Sequence, residues 1–401
     1  VASFLWGKVY YQDTFAGILR EEPGDCTSFT YDSRYLEAHP FPLSHTLPLQ
    51  PAPHLCHGGL HPFFDNLVAE GWLEQAQSRL LGKRHISRFE LLLTFGYDCA
   101  GAVYVMDPEP TSLSQSLLDM DDPREMALLT SRASLSGVQP KLAIVERNGL
   151  FFPTKVGELS THIAKFPSAG HADLVENEYL TTLAFKALLP NDLVAQLDIA
   201  NIEGIGPALL IKRFDRSPEG RIHFEEFNQI FGLKSQEKYD GTYKQMGDFI
   251  RHTNGCLPLE NYRLFARILA GLLLGNTDMH LKNFALFRHP TGLRLTPSYD
   301  QVAAALYQYK TVALGIGGAH DLQLGQIKSK HLIELSRDFE IPREAFMRLL
   351  KELNINRQNA AQAIADGPIG PNPLKDQLIN LMEKRWNGTF ALTGQILSTK
   401  P

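Results

Sequence analysis

The chain has 401 residues, 44% hydrophobic and 21% charged, enough to bury a large core in two domains or in one two-lobed body with an extension. Its net charge of -5 gives no overall case for nucleic-acid binding, although a local basic face stays open. Cys26, Cys56, Cys99 and Cys256 form no C-x-x-C pair and fit free thiols in a reducing compartment better than a disulfide framework. No signal-peptide pattern opens the sequence and no apolar run reaches a membrane span, so a cytoplasmic protein with no membrane partner is expected.

Residues 1–110 read as a first domain. Val1–Tyr11 and Thr14–Leu19 look like paired strands turning at Gln12-Asp13, with a third strand over Thr27–Tyr31. A Pro-rich connection from Pro40 to Pro53 precedes helical spacing over Phe63–Leu73 and His85–Phe95, then a strand over Ala102–Met106. His54, Cys56, His57 and His61 carry metal-ligating groups, but their spacing matches no zinc finger. A plain loop with buried and half-buried rings is the stronger expectation. Residues 111–130 lie in a polar, acidic stretch, Asp107 to about Leu129, that contains Pro108, Pro110 and Pro123, and read as a linker.

Residues 131–227 are strand-rich. A small-residue loop, Ser134 to Lys141, can offer backbone N–H groups around Gly137, Val138 and Gln139, and the Lys141 cation, to phosphates. It is neither a Walker loop nor G-x-G-x-x-G, and a flexible connecting loop explains it equally well. Leu142–Glu146 and Leu150–Pro153 flank Asn148-Gly149, a hairpin signal. Thr161–Phe166 is an apolar strand carrying Lys165. A buried lysine needs a partner, and phosphate oxygens would serve; a solvent-facing lysine is the plainer alternative. Asp173 and Glu176 form a capping-box pattern for a helix running to Leu189, and Glu176 or Glu178 could meet Lys165. Strands are expected over Val194–Ala200 and Pro207–Phe214, then a thin connection, His223–Phe227.

Residues 228–401 read as helices over Tyr243–His252, Leu259–Leu274, Lys330–Asp338, Arg343–Leu353, Gln358–Ala365 and Lys375–Lys384. The whole is an α+β, two-lobed pattern. A nucleotide is expected between the lobes, with backbone groups of Glu225 to Phe227 facing its base.

One stretch, Leu273 to Phe287, organises the chemistry. Asp278 and Asn283 stand five apart, the D-x-x-x-x-N spacing of a protein-kinase catalytic loop. A hairpin then leads to Tyr299-Asp300 and a second acid. Phosphoryl transfer asks for a carboxylate near the attacking hydroxyl and for hard oxygen ligands that hold magnesium against phosphates. Asp278 fits the first role, Asn283 and Asp300 the second, and His280 and Lys282 lie in the same polar loop. The bland alternative is a capped helix and an ordinary hairpin with solvated acids. Placement after a long apolar helix and before a hairpin ending in Asp favours the kinase.

Several words together resemble the HipA family of serine/threonine kinases, the toxins of bacterial toxin–antitoxin pairs. They are Ser136 to Lys141, Thr161 to Lys165, Glu176 to Tyr179, Lys212 to Arg216, Gly275 to Phe284 and Leu295 to Asp300, with Phe63 to Leu67 and Glu70-Gly71 for the family's N-terminal domain. The resemblance implies ATP and Mg2+ as cofactors, with Asp278 as catalytic base and Asn283 and Asp300 on the metal. It places Gly137, Val138, Gln139, Lys141, Lys165, Glu225, Phe227, His280 and Lys282 about the nucleotide. It implies self-inactivation by phosphorylation at Ser134 or Ser136, which moves the phosphate loop. The family's best-known target is an aminoacyl-tRNA synthetase, and its partner is a helix-turn-helix antitoxin of the HipB type bound to operator DNA. It also implies a bacterial cytoplasmic location, or a host cytosol for a secreted member. Unlike ordinary protein kinases, the chain has no His-Arg before Asp278, and Gln301-Val302 follows Asp300. Rival readings are a catalytically silent nucleotide-binding regulator acting with the antitoxin, and a small-molecule kinase.

Overall fold

Gln12, at φ 52°, turns the chain between β1 (Trp6–Tyr11) and β2 (Thr14–Glu22), which pair antiparallel. With β3 (Cys26–Tyr31), β4 (His54–His57) and β5 (Val103–Met106) they form a sheet ordered β4-β3-β2-β1-β5. Val9, Leu19, Phe29, Val103 and Val105 are buried with Phe63, Phe64, Phe89 and Leu92 in one core. The computed structural model describes residues 4–38, 41–81, 86–109, 139–155, 157–167, 170–171, 173–289 and 291–399. The expected linker and Ser134, Ser136, Gly137 and Val138 lie outside the described residues.

Two expectations for this domain change. The single helix over Phe63–Leu73 is two helices, Pro62–Asp65 and Gly71–Leu80, because Gly71 at φ 58° takes a left-handed conformation that a continuous helix cannot contain. The histidine-rich loop is instead strand β4 followed by a helix cap. The His61 Nδ1 accepts from the Phe63 N–H, and burial drives its pKa down to about 4.

β6 (Lys141–Arg147) and β7 (Leu150–Pro153) form the expected hairpin, with Asn148 and Gly149 both at positive φ. With β8 (His162–Lys165), β9 (Leu197–Ile202) and β10 (Gly206–Lys212) they close a five-stranded barrel, sealed by a parallel contact between Phe151 and Ile202. Leu142, Ile144, Ala164, Ile202, Ala208 and Leu210 fill it. A short hairpin, β11 (Arg216–Ser217) and β12 (Gly220–Arg221), leads to β13 (Phe224–Glu226) and the helix Phe227–Ile230.

The chain divides into two compact units, Val1–Ala172 with Gln196–Glu237, and Asp173–Ala195 with Lys238–Pro401. This differs from the expected boundaries. The N-terminal domain and the barrel form one unit, riveted by a buried ionic cluster. Arg213 donates to Asp98 Oδ1 at 3.1 Å, to Asp215 Oδ2 at 2.6 Å and to the Cys99 carbonyl at 2.9 Å; Arg216 donates to Asp98 Oδ1 at 2.9 Å; the Gly101 N–H donates to Asp215 Oδ2 at 2.8 Å.

The helix Leu174–Leu188 belongs to the second unit, packed on the helix Arg343–Ala365. Its expected capping box does not form, since Asp173 makes no side-chain cap bond. Arg343–Ala365 is one helix, not two. Leu353, Ala360 and Ile364 continue its buried stripe, and Asn356 gives its amide to the Leu188 carbonyl at 3.1 Å, so packing overrides the weak helix propensity of the asparagines. The helix Asn372–Arg385 runs on through a π turn, Trp386–Phe390, into a helix not foreseen from the sequence, Ala391–Thr399. No helix among the described residues is long and apolar enough to cross a membrane.

Candidate active site

The helix Pro258–Leu274 carries a nearly continuous buried face and stops at Gly275, whose φ of 83° ends it. A Cβ at Gly275 would lie 2.4 Å from Leu381 Cδ2, so glycine is required by space as well as by backbone. The loop that follows is tied down at each step. Asn276 is buried; its Oδ1 accepts from the Asp278 N–H at 3.2 Å, and its Nδ2 donates to the Asp300 carbonyl at 3.2 Å and to Gln301 Oε1 at 3.3 Å. One amide therefore joins the two acid-bearing loops. The Thr277 hydroxyl donates to the Tyr309 carbonyl, the Ala313 N–H donates to the Thr277 carbonyl at 2.8 Å, and the buried Tyr243 hydroxyl donates to the Met279 carbonyl at 3.1 Å.

Asp278 lies where its charge is expensive. Burial pushes its carboxyl above the ordinary aspartate range, and the negative charge of Asp300 adds to that. The Tyr239 hydroxyl, donating to Oδ1 at 3.0 Å, and the Lys238 cation act in the opposite direction. Asn283 is 9% exposed, and its Oδ1 is buried with no hydrogen-bond partner among the described residues. An amide oxygen left so is costly unless something electropositive meets it. Asp300 sits at φ 53°, a strained position for a non-glycine residue that the Asn276–Gln301–Ser298 hydrogen bonds hold in place. An amide oxygen and a carboxylate are the hard donors a magnesium ion takes, so the residues present fit that metal.

β14 (Ala285–His289) and β15 (Gly292–Leu295) form the expected hairpin, with Leu286 opposite Leu295, and it carries the chain from Asn283 to Asp300. The Tyr299 hydroxyl closes the return on the Lys282 carbonyl at 2.7 Å. Behind it, Arg267 grips Asp192 through Nε at 2.6 Å and Nη2 at 2.8 Å, and gives Nη1 to the Thr296 carbonyl at 2.8 Å.

Gln139, Lys141, Lys165, Glu225 and Phe227 lie in the first unit, while His280 and Lys282 lie within the Asp278–Asn283 turn, with His280 buried. Lys141 and Lys165 are direct cross-strand partners on β6 and β8, so both side chains project from one face of the barrel. Gln139 Nε2 is buried without a partner among the described residues. The Glu225 carboxylate accepts from Ser44 and His45, and Phe227 is fully buried. Glu178 is buried, and Glu176 keeps one buried oxygen without a hydrogen-bond partner among the described residues.

Sequence reasoning missed Asn276, Tyr239, Gln301 and the Arg267–Asp192 clamp. Asn276 stood inside the Gly275 to Phe284 word without a role. Tyr239 and Asp192 lie far away along the chain, and no spacing rule points to them.

A closed strand barrel and a helical unit bearing the Asp278–Asn283 loop with Asp300 at a hairpin's exit define an α+β, protein-kinase-like fold. The HipA-like C-terminal domain matches residues 133–362, and the HipA N-terminal domain matches residues 7–106. The chain belongs to the HipA family of kinases. It is 32% identical over 299 residues to a putative kinase, Y4dM, of Sinorhizobium fredii, covering 69% of this chain and 68% of that one. It is 28% identical to the serine/threonine-protein kinase toxin HipA of Shewanella oneidensis, over 85% of each chain. A chain of the Shewanella oneidensis complex of HipA, HipB and operator DNA superposes with a TM-score of 0.77 at 23% identity, covering 97% of this chain and 99% of that one.

Proposed function

We propose that the protein is a serine/threonine kinase toxin that uses ATP and Mg2+ to phosphorylate a protein target and so halts growth. The observation that carries this is the buried Asn276 amide holding the Asp278 and Asp300 loops together, with an Asn283 oxygen that has no hydrogen-bond partner among the described residues. Asp278 accepts the proton of the attacking hydroxyl. Burial raises its pKa, which makes the carboxylate a stronger base than an exposed aspartate. Asn283 and Asp300 hold the metal, which when bound neutralises charge on the phosphates. Lys141 and Lys165 meet phosphate oxygens, with Gly137, Val138 and Gln139 around them, and His280 and Lys282 complete the nucleotide's surroundings. The backbone of Glu225 to Phe227 faces the base.

Similarity to the Shewanella toxin, and its relative's complex with HipB and operator DNA, support an antitoxin partner of that type, with DNA reached mainly through it. A cytoplasmic location is proposed with that partner. An aminoacyl-tRNA synthetase is the first target to test, and phosphate on Ser134 or Ser136 is the proposed off-switch. Induced expression tests the reading: the parent arrests growth and Asp278→Ala does not. Equal arrest by Asp278→Ala would overturn the catalytic assignment.

A further inference from the structure

Within the segment proposed to face the nucleotide base, the Glu225 carboxylate makes polar contacts with the N-terminal domain. Glu225 is buried, and its carboxylate accepts the Ser44 hydroxyl at 2.7 Å and the His45 N–H at 3.1 Å to each oxygen. Ser44 is fully buried in a tight turn. The Thr46 N–H donates to Ser44 Oγ at 3.1 Å and the Leu47 N–H to the Ser44 carbonyl at 3.1 Å. The Tyr31 hydroxyl fastens the turn from behind, accepting the Leu43 N–H at 2.9 Å and donating to the Leu47 carbonyl at 2.6 Å.

The grip continues along the chain. Asn228 donates to Asn66 Oδ1 at 2.9 Å, Gln229 to the Phe63 carbonyl at 3.2 Å, and Asn66 to the Leu233 carbonyl at 2.8 Å; the Ser235 N–H donates to Asp65 Oδ2 at 2.8 Å. A buried carboxylate is tolerated only where donors are aimed at it, and charge-assisted bonds of this kind specify one position sharply. The Ser44 and His45 donors come from a turn that is some 180 residues away in sequence.

We propose that Ser44 is a positioning residue for the nucleotide: the N-terminal domain, through Ser44 and His45, fixes Glu225 so that its backbone is presented to the adenine base. The N-terminal domain is then part of the nucleotide site and not an appendage. The inference rests on the proposed ATP site and adds what builds it. Losing the Ser44 hydroxyl removes the 2.7 Å bond to Glu225 Oε2, so the 225–227 backbone is held less tightly, while the groups proposed to hold the phosphates are untouched.

The test is a calorimetric titration of the full-length chain with Mg-AMP-PNP and, separately, Mg-GMP-PNP, which share the triphosphate and differ in the base. Ser44→Ala should weaken AMP-PNP by about tenfold, the order expected for a lost charge-assisted hydrogen bond, and leave GMP-PNP nearly unchanged, so that the preference for adenine narrows. Ser44→Thr, which keeps the hydroxyl, should restore the preference. Glu225→Gln, which keeps the side chain's shape, should behave like Ser44→Ala and covers the case of a Ser44→Ala chain that does not fold. Unchanged AMP-PNP affinity in both variants, or an equal fall for both nucleotides, would overturn the inference while leaving the kinase reading in place. A parent that binds neither nucleotide would overturn the nucleotide site and the inference with it.

Discussion

Replacing Arg267 with methionine keeps the length of the side chain and removes the guanidinium that joins Asp192 to the Thr296 carbonyl. Both charges are buried, with side-chain exposures of 3% for Arg267 and 8% for Asp192. Breaking a buried pair leaves one desolvated charge, at a cost of about 3–5 kcal/mol. Arg263 stays on Asp192 Oδ1 at 2.7 Å, which argues for the lower end of that range. A loss of about 3 kcal/mol in a unit of this size lowers Tm by about 6–12 °C.

The pH dependence is equally specific. Burial pushes the Asp192 carboxyl up, but the hydrogen bonds and charges of Arg267 and Arg263 outweigh it and hold the group below its ordinary 3.8. A depressed acid contributes stability above its unfolded pKa and loses it as pH falls through the folded one. The gap in Tm between parent and Arg267→Met should therefore persist from neutral pH down to mildly acid conditions and narrow only below 3.8. Differential scanning calorimetry of parent, Arg267→Met, Asp192→Asn and the double variant completes the cycle, and the losses should be far from additive. A Tm for Arg267→Met equal to the parent's, or strictly additive losses, would refute the reasoning.

Three further outcomes are expected. Tyr239→Phe removes the donor that holds the Asp278 pKa down, so the acid limb of the kcat/KM profile should move to higher pH; an unmoved limb would show that the bond is absent in the working enzyme. Asn283→Ala should raise the Mg2+ concentration needed for half-maximal phosphoryl transfer while leaving thermal stability close to the parent's, since its amide oxygen has no hydrogen-bond partner among the described residues. Replacing both Ser134 and Ser136 with alanine should give a persistently active toxin in a growth assay; unchanged or lost inhibition would remove these serines as the off-switch.

The parts legible in the sequence were those with local signals. Asn148-Gly149 announced its hairpin, Gly275 ended its helix, and D-x-x-x-x-N with the following hairpin placed Asp278, Asn283 and Asp300 in one unit. What stayed hidden was set by contacts distant along the chain. Barrel closure depends on the Phe151–Ile202 contact, and neither strand carries a mark of it. The Leu174–Leu188 helix follows a strand in sequence yet packs on a helix far ahead. The missed site residues follow the same rule. Asn276 works through two loops it bridges, Tyr239 reaches Asp278 across 39 positions, and Glu225 displays no sign in sequence that its carboxylate belongs to Ser44.

The central claim is that Asp278, with Asn283 and Asp300, transfers phosphate. Intact-mass measurement with phosphosite mapping, before and after Mg-ATP, on the parent and Asp278→Ala tests it most directly. The account predicts phosphate on Ser134 or Ser136 of the parent and none on the variant. Equal phosphorylation of parent and Asp278→Ala would contradict it.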